Sequence, residues 1–92
     1  MKITFDPAKS ARTLQERGLD FADAEEVFAG LTLDFEDDRF DYGEVRIITV
    51  GHLQGRMVIV VWTPRNDARH VISMRKANDR EKARFGQQLE QG

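Results

Sequence analysis

The sequence predicts an α+β domain, an antiparallel sheet packed with helices in the order β-α-α-β-β-β-β-α. Three observations carry that prediction. Two capped helical stretches follow one another before residue 31, each closed by a glycine. Two runs rich in β-branched residues, VRIITVGHL and RMVIVVWT, flank Gln54-Gly55 as the arms of a hairpin. A last such run, RHVISMRK, leads into Asn78 and Glu81, whose spacing is that of a capping box opening a final helix.

Taken in order, residues 2–5 (KITF) form a short strand. Asp6-Pro7 starts the first helix, because the Asp6 carboxylate can cap free N–H groups and Pro7 sits where its missing N–H costs nothing. Ala8, Ala11 and Leu14 recur at helical spacing, and Gly18 stops the helix. Asp20 caps a second helix, with Phe21, Ala24, Val27 and Phe28 on one face and Gly30 at its end. In LTLDFED, residues 31–37, Leu31, Leu33 and Phe35 point inward and Thr32, Asp34 and Glu36 outward, the period of a half-buried strand. DRFDYG reads as a loop and RNDA as a four-residue turn. Phe85 and Leu89 dock the final helix, which starts near residue 79, while Gly86 weakens its interior.

Even-length turns keep opposite residues on one face of a sheet. Turns of two and four residues then place Ile48, Val50, Met57, Ile59, Val61, Ile72 and Met74 together under the helices, with His70 on the same side. Each fully buried member contributes roughly 1.5–3 kcal/mol. The opposite face collects Ile47, Thr49, Val58, Val60, Trp62, Val71, Ser73 and Arg75, a partly open surface on which Trp62 reads as packing.

Ninety-two residues make one domain, 1–92, near the lower end of what builds a core unaided. The absence of cysteine excludes disulfides, thiolate metal sites and a thiol nucleophile. His52 and His70 stand alone, without metal-ligand spacing, so neither metal nor cofactor is expected. The segment MKITFDPAKS has no apolar core, and no apolar run approaches membrane-spanning length. A cytoplasmic protein with no membrane partner is the expectation.

The net charge of −2 hides a split. Residues 20–44 hold ten Asp or Glu against one Arg, a balance of −9, whereas residues 65–84 hold seven Lys or Arg against three acids, a balance of +4. A solvated face accounts for either block. The split also fits one surface for a polyanion and another for a basic partner. Arg75 and Lys76 lie where the last strand meets a helix N-terminus, a place that favours anions. Arg75 offers a planar fork for phosphate oxygens, Lys76 a compact charge, and Arg80 and Arg84 extend the basic surface. Such cations commonly snorkel or pair with a nearby acid, worth about 0–1 kcal/mol when exposed, so these residues alone leave phosphate binding open.

The segments ITFDPAKSARTLQERGLDFADAEEVF, GEVRIITVG, MVIVVWT and HVISMRKA together resemble the BrnT family of bacterial toxins, over residues 3 to about 85. The most specific pieces are FDPAK at 5–9, GLDFADA and ISMRKA at 72–77. The resemblance implies a RelE-like fold and the toxin of a type II toxin–antitoxin module, an endoribonuclease that arrests translation. In such enzymes the RNA's own 2′-hydroxyl attacks the adjacent phosphate without a metal, leaving a 2′,3′-cyclic phosphate or 3′-phosphate and a 5′-hydroxyl. The resemblance further implies a cognate BrnA-type antitoxin in a heterotetramer, with operator DNA bound only through the antitoxin. Thr13 and Glu16-Arg17-Gly18 stand where the family often carries Asn and Lys-His-Gly, and His70-Val71-Ile72-Ser73 where it often reads Arg-Ile-Ile-Ser. These departures keep a second reading open, a catalytically weakened module that binds RNA or its antitoxin without cleavage.

Under this resemblance Arg75 is the first candidate to offset charge on the phosphorane-like transition state, with Lys76 assisting. Glu44 and Arg46 alternate on one strand as a base with its orienting partner, or as a structural ion pair. His70 titrates in the range useful for an acid or base. Lys9, Arg80 and Arg84 are candidates for holding the RNA backbone. The acidic segment offers a surface to a basic antitoxin, and direct covering of the cationic face by the antitoxin is the alternative. A generic RNA-binding domain is a third reading, disfavoured because Trp62 and Tyr42 are far apart in sequence for a stacking pair.

Overall fold

Two tight hairpins set the centre of the sheet. Gln54 and Gly55 have φ of +52° and +77°, and Asn66 and Asp67 have φ of +48° and +64°. Positive φ at both loop positions gives a turn whose twist matches that of the strands it joins. The second turn therefore has two residues rather than the four expected for RNDA, and Arg65 pairs directly with Ala68.

The structure is a computed structural model that describes the backbone of residues 2–91 and the side chains of residues 2–89. Its elements are β1 (Lys2–Phe5), α1 (Pro7–Arg17), a 3-10 turn (Phe21–Asp23) running into α2 (Ala24–Ala29), β2 (Leu33–Glu36), β3 (Ile47–Leu53), β4 (Arg56–Arg65), β5 (Ala68–Lys76) and α3 (Asp79–Gln91). The strands lie in the order β1-β5-β4-β3-β2. β1 runs parallel to β5 and the other pairs are antiparallel, so the sheet is mixed rather than wholly antiparallel. Among the described residues no helix is long and apolar enough to cross a membrane.

Asp6 caps α1 by accepting from the Ala8 N–H at 2.9 Å, and Gly18, at φ +71°, closes it by donating to the Leu14 carbonyl. The face it buries differs from the apolar spacing. Ser10 is buried, whereas Ala8, Ala11 and Leu14 are exposed, Leu14 by 49%. Polar contacts hold α1 instead. Arg17 Nη1 donates to the Met74 carbonyl at 2.9 Å, and Ser10 Oγ accepts from the Phe21 N–H at 3.3 Å. Asp20 caps the 3-10 turn, and the α-helix proper begins later than expected, at Ala24.

Apolar layers cover both sheet faces. Phe21, Ala24 and Val27 of the 3-10 turn and α2 cluster with Val58, Val60, Trp62, Val71 and Met74 of the sheet. Phe85 and Leu89 of α3 cluster with Val50, Met57, Ile59 and Ala77. α2 crosses β3 closely because Gly51 lacks a side chain: a Cβ there would stand 2.7 Å from Val27 Cγ1. Trp62 is a packing residue, 7% exposed, whose Nε1–H donates to Thr49 Oγ1, which in turn donates to Asp34.

The pairing of β3 with β4 places Ile48, Val50, Met57, Ile59 and Val61 on one face, as the alternation requires. β5 departs from its expected phase. Trp62 faces Val71, but Val61 faces Ser73, so Ile72 is an extra residue in a β-bulge. One inserted residue exchanges the faces of everything beyond it. Met74 therefore joins Val58, Val60 and Trp62 under α2, while Ser73 and Arg75 join Val61 and Ile59 on the α3 side. This corrects the expected grouping of Ile72 and Met74 with Val61, and of Ser73 and Arg75 with Trp62.

Candidate active site

α3 covers one end of its sheet face and leaves the middle open. There a cavity of about 490 Å³ has Ile48, Val50, Ile59, Val61 and Ser73 as its apolar-rich floor. Its walls are Glu81, Arg84 and Phe85 of α3 on one side, and Phe35 with Glu36 through Arg39 on the other. Phe35 and Phe85 stack at 5.8 Å across the join between the two walls.

Arg75 enters this cavity because of the bulge. Its Nη1 and Nη2 each donate to one Glu81 carboxylate oxygen at 2.7 Å. The same carboxylate accepts from the Asn78 N–H at 2.9 Å, while Asn78 Oδ1 accepts from the Glu81 N–H at 2.8 Å. The capping box seen in the sequence thus also orients the guanidinium. Hydrogen bonds from Arg75 hold the Glu81 carboxyl down at about 2, against the opposing effect of burial. The Glu81 hydrogen bonds likewise raise the Arg75 pKa, with burial and the charge of Arg39 acting against them. Arg75 is not sealed by its partner, since its side chain remains 45% exposed. Of five guanidinium N–H donors, two engage Glu81 and three remain for a ligand.

The other residues singled out from sequence separate into distinct places. Arg84 lines the same cavity, its guanidinium over Phe85 at 5.1 Å. Lys76 pairs with Val58 and leaves the sheet on the face opposite Arg75, so the two cations do not share a rim. Arg80 and Lys9 are exposed and outside the cavity lining. His70 pairs with Thr63 and its Nδ1 lies 2.9 Å from the Thr4 hydroxyl. Burial first, then the Arg65 charge, lowers its pKa below the ordinary 6.5. Five residue steps along the strand separate His70 from Arg75, roughly 16 Å at about 3.3 Å per residue. It lies on the half of this face that α3 leaves uncovered, not in the helix-covered part as expected.

Glu44 is held between Arg65 Nη2 at 3.2 Å and Arg46 Nε at 3.8 Å, the arrangement of an ion-pair network. Arg46 lies over the Tyr42 ring at 3.8 Å. Neither residue lines the Arg75 cavity, although Glu44 borders an adjoining recess of about 480 Å³ with Arg39 and Tyr42.

A family model described as the ribonuclease toxin BrnT of a type II toxin–antitoxin system matches residues 5–81. The chain belongs to the BrnT family. That stretch runs from the last residue of β1 through β5 to the first residues of α3, including both Arg75 and Glu81. Among curated proteins no relative matches the chain. BrnT proteins are ribonuclease toxins, so RNA is the target and a protein antitoxin the partner.

In this BrnT chain the sequence reading missed Arg39, which it left in a loop, and Ser73, which it placed on the wrong face. The signal for Arg39 was present in the unusual density of chemistry in DDRFDYGE. The signal for Ser73 was the polar interruption of the apolar stretch from Val71 to Met74.

Proposed function

We propose that this chain is a metal-independent endoribonuclease of RelE-like architecture, cleaving RNA in the cavity around Arg75 and so inhibiting translation. The supporting observation is the Arg75–Glu81 pair: a guanidinium fixed by a helix-capping carboxylate, with free donors facing an open cavity. A fixed fork suits a phosphate whose charge grows during in-line attack, and it needs little reorganisation at that moment. The attacking 2′-hydroxyl belongs to the substrate, so the reaction requires no bound water or metal to supply a nucleophile. A 2′,3′-cyclic phosphate and a 5′-hydroxyl are the products. A cognate BrnA-type antitoxin neutralises the toxin in a heterotetramer, and operator DNA is contacted through the antitoxin.

Distance removes His70 from proton transfer at a phosphate held by Arg75. Glu81, with its carboxyl at about 2, is a weak base near neutrality. Charge stabilisation by Arg75 therefore carries the catalysis, with solvent hydroxide taking the 2′-hydroxyl proton and water protonating the leaving 5′-oxygen, so the rate rises with pH through neutrality without a histidine limb.

The test is cleavage of RNA by purified native protein and by Arg75→Ala in excess chelator, with product ends mapped. Native cleavage to cyclic-phosphate ends is expected, with loss on the order of a hundredfold or more in the variant. RNA that is bound and left intact supports the non-cleaving module instead. Equal cleavage by both proteins removes Arg75 from the mechanism.

A further inference from the structure

The loop after β2 contains a carboxylate that a mere connector does not need. The Asp37 side chain is 2% exposed, and burial of a charge is unfavourable unless its hydrogen bonds are met. They are met fully. Asp37 accepts from Arg39 Nε at 2.8 Å, Arg39 Nη2 at 2.9 Å, the Arg39 backbone N–H at 3.3 Å and the Tyr42 hydroxyl at 3.2 Å. The Arg39 hydrogen bonds hold its carboxyl at about 2 despite burial. Arg46 buttresses the group from behind, its guanidinium over the Tyr42 ring and its carbonyl accepting from the Asp37 N–H at 2.8 Å. Three side chains thus fix the direction of one, and that one is Arg39, which reaches the cavity wall with 68% of its side chain exposed.

Arg39 and Arg75 are 36 residues apart, yet they line one cavity and their charges oppose each other. Each is fixed in the same manner, by a bidentate carboxylate that engages two of five donors. Like charges brought to one cavity are unfavourable until an anion enters between them. Phosphate oxygens match the remaining donors of both forks.

We propose that Arg39 is the second arm of a two-guanidinium clamp on the RNA backbone, gripping a phosphate beside the one held by Arg75, with Asp37, Tyr42 and Arg46 as its positioning residues. This rests on the cavity being the RNA site. Arg39 serves binding rather than the chemical step, because it stands on the outer wall while Arg75 adjoins Ser73 on the floor.

The experiment uses a labelled, mixed-sequence 2′-O-methyl RNA, whose blocked nucleophile separates binding from cleavage. Affinity is followed by fluorescence anisotropy across a salt series for native protein, Arg39→Ala, Arg39→Gln, Tyr42→Phe and Arg75→Ala. Arg39→Ala should weaken binding roughly tenfold to a hundredfold. It should also reduce the slope of log affinity against log salt by roughly 0.7, the value for one phosphate contact to a single strand. Tyr42→Phe should weaken it less. On unmodified RNA, Arg39→Ala should raise KM with little change in kcat. Thermal unfolding identifies any variant that fails to fold, and Arg39→Gln then carries the test. Native binding by the Arg39 variants, alongside weakened binding by Arg75→Ala, overturns the clamp and leaves the RNA site standing. A fall in kcat with unchanged KM also overturns it. Failure of the native protein to bind the RNA sinks both readings.

Discussion

Replacing Glu81 by alanine and by glutamine separates two tasks that one carboxylate performs. The first is capping α3, through the Asn78 N–H and the reciprocal Asn78 Oδ1 contact. The second is fixing the Arg75 fork. Alanine removes both. Loss of a cap costs about 1 kcal/mol. The ion pair adds at most about 1 kcal/mol, since the Arg75 side chain is 45% exposed and solvent screens it. Glu81→Ala should therefore lose about 1–2 kcal/mol and unfold roughly 5–15 °C lower, a domain of this size shifting by about 4–8 °C per kcal/mol. Glu81→Gln keeps an acceptor for the Asn78 N–H and should lose only about 0.5–1 kcal/mol. Both variants should lose kcat, because neither holds the guanidinium at two points. Denaturant unfolding at several pH values, paired with RNA cleavage, reads both effects. The Glu81 carboxyl is lowered from 4.5 to about 2 on folding, so its stabilisation is complete above 4.5 and is lost as the pH falls toward 2. The stability gap between native protein and Glu81→Gln should close over that range. Equal stability of the two variants would refute the capping argument. Full kcat in Glu81→Gln would refute the orienting argument.

Two further outcomes follow from packing and from distance. Gly51→Ala would place its Cβ 2.7 Å from Val27 Cγ1 and 3.2 Å from Thr32 Cγ2, so denaturant unfolding should show a loss of about 1–3 kcal/mol; a neutral change would mean that α2 does not rest on β3 as described. His70 should titrate below 6.5 by NMR, with stability complete above 6.5 and falling as the pH drops from there toward its lower folded value, and His70→Asn should leave cleavage and its pH profile unchanged. A midpoint above 6.5, or loss of cleavage in that variant, would bring His70 back into the chemistry.

Local chemistry was legible wherever neighbours along the chain decide the outcome. Asp6, Gly18 and Asp20 cap as their residue types require, and the Asn78–Glu81 box forms as its spacing implies. The Gln54-Gly55 hairpin carries the pairing of β3 and β4 with it. What lay beyond reach depends on distant partners. The buried side of α1 is set by polar contacts from Arg17 and Ser10 to β5 and the 3-10 turn, which no count of apolar spacing contains. Arg39 gains its meaning only when the sheet brings Arg75 to the same cavity.

The phase of β5 is different, because its signal was in the residues. Strict alternation through His70-Val71-Ile72-Ser73-Met74-Arg75 offers two choices for the face under α2. One buries Val71 with Ser73 and Arg75, and the other buries His70 with Ile72 and Met74. Either choice puts a charged or titratable group into an apolar layer, which is unfavourable without a partner there. A bulge at Ile72 resolves the conflict, since it lets Val71 and Met74, 1% and 0% exposed, share the buried face. His70, Ser73 and Arg75 then share the other. The demand for a clean core on one side of the sheet is thus what delivers the arginine to the cavity on the other. A substitution that restored regular pairing of β5 would have to bury either Arg75 or His70 beneath α2 and would lose stability, and where Arg75 is the one buried it would lose cleavage as well.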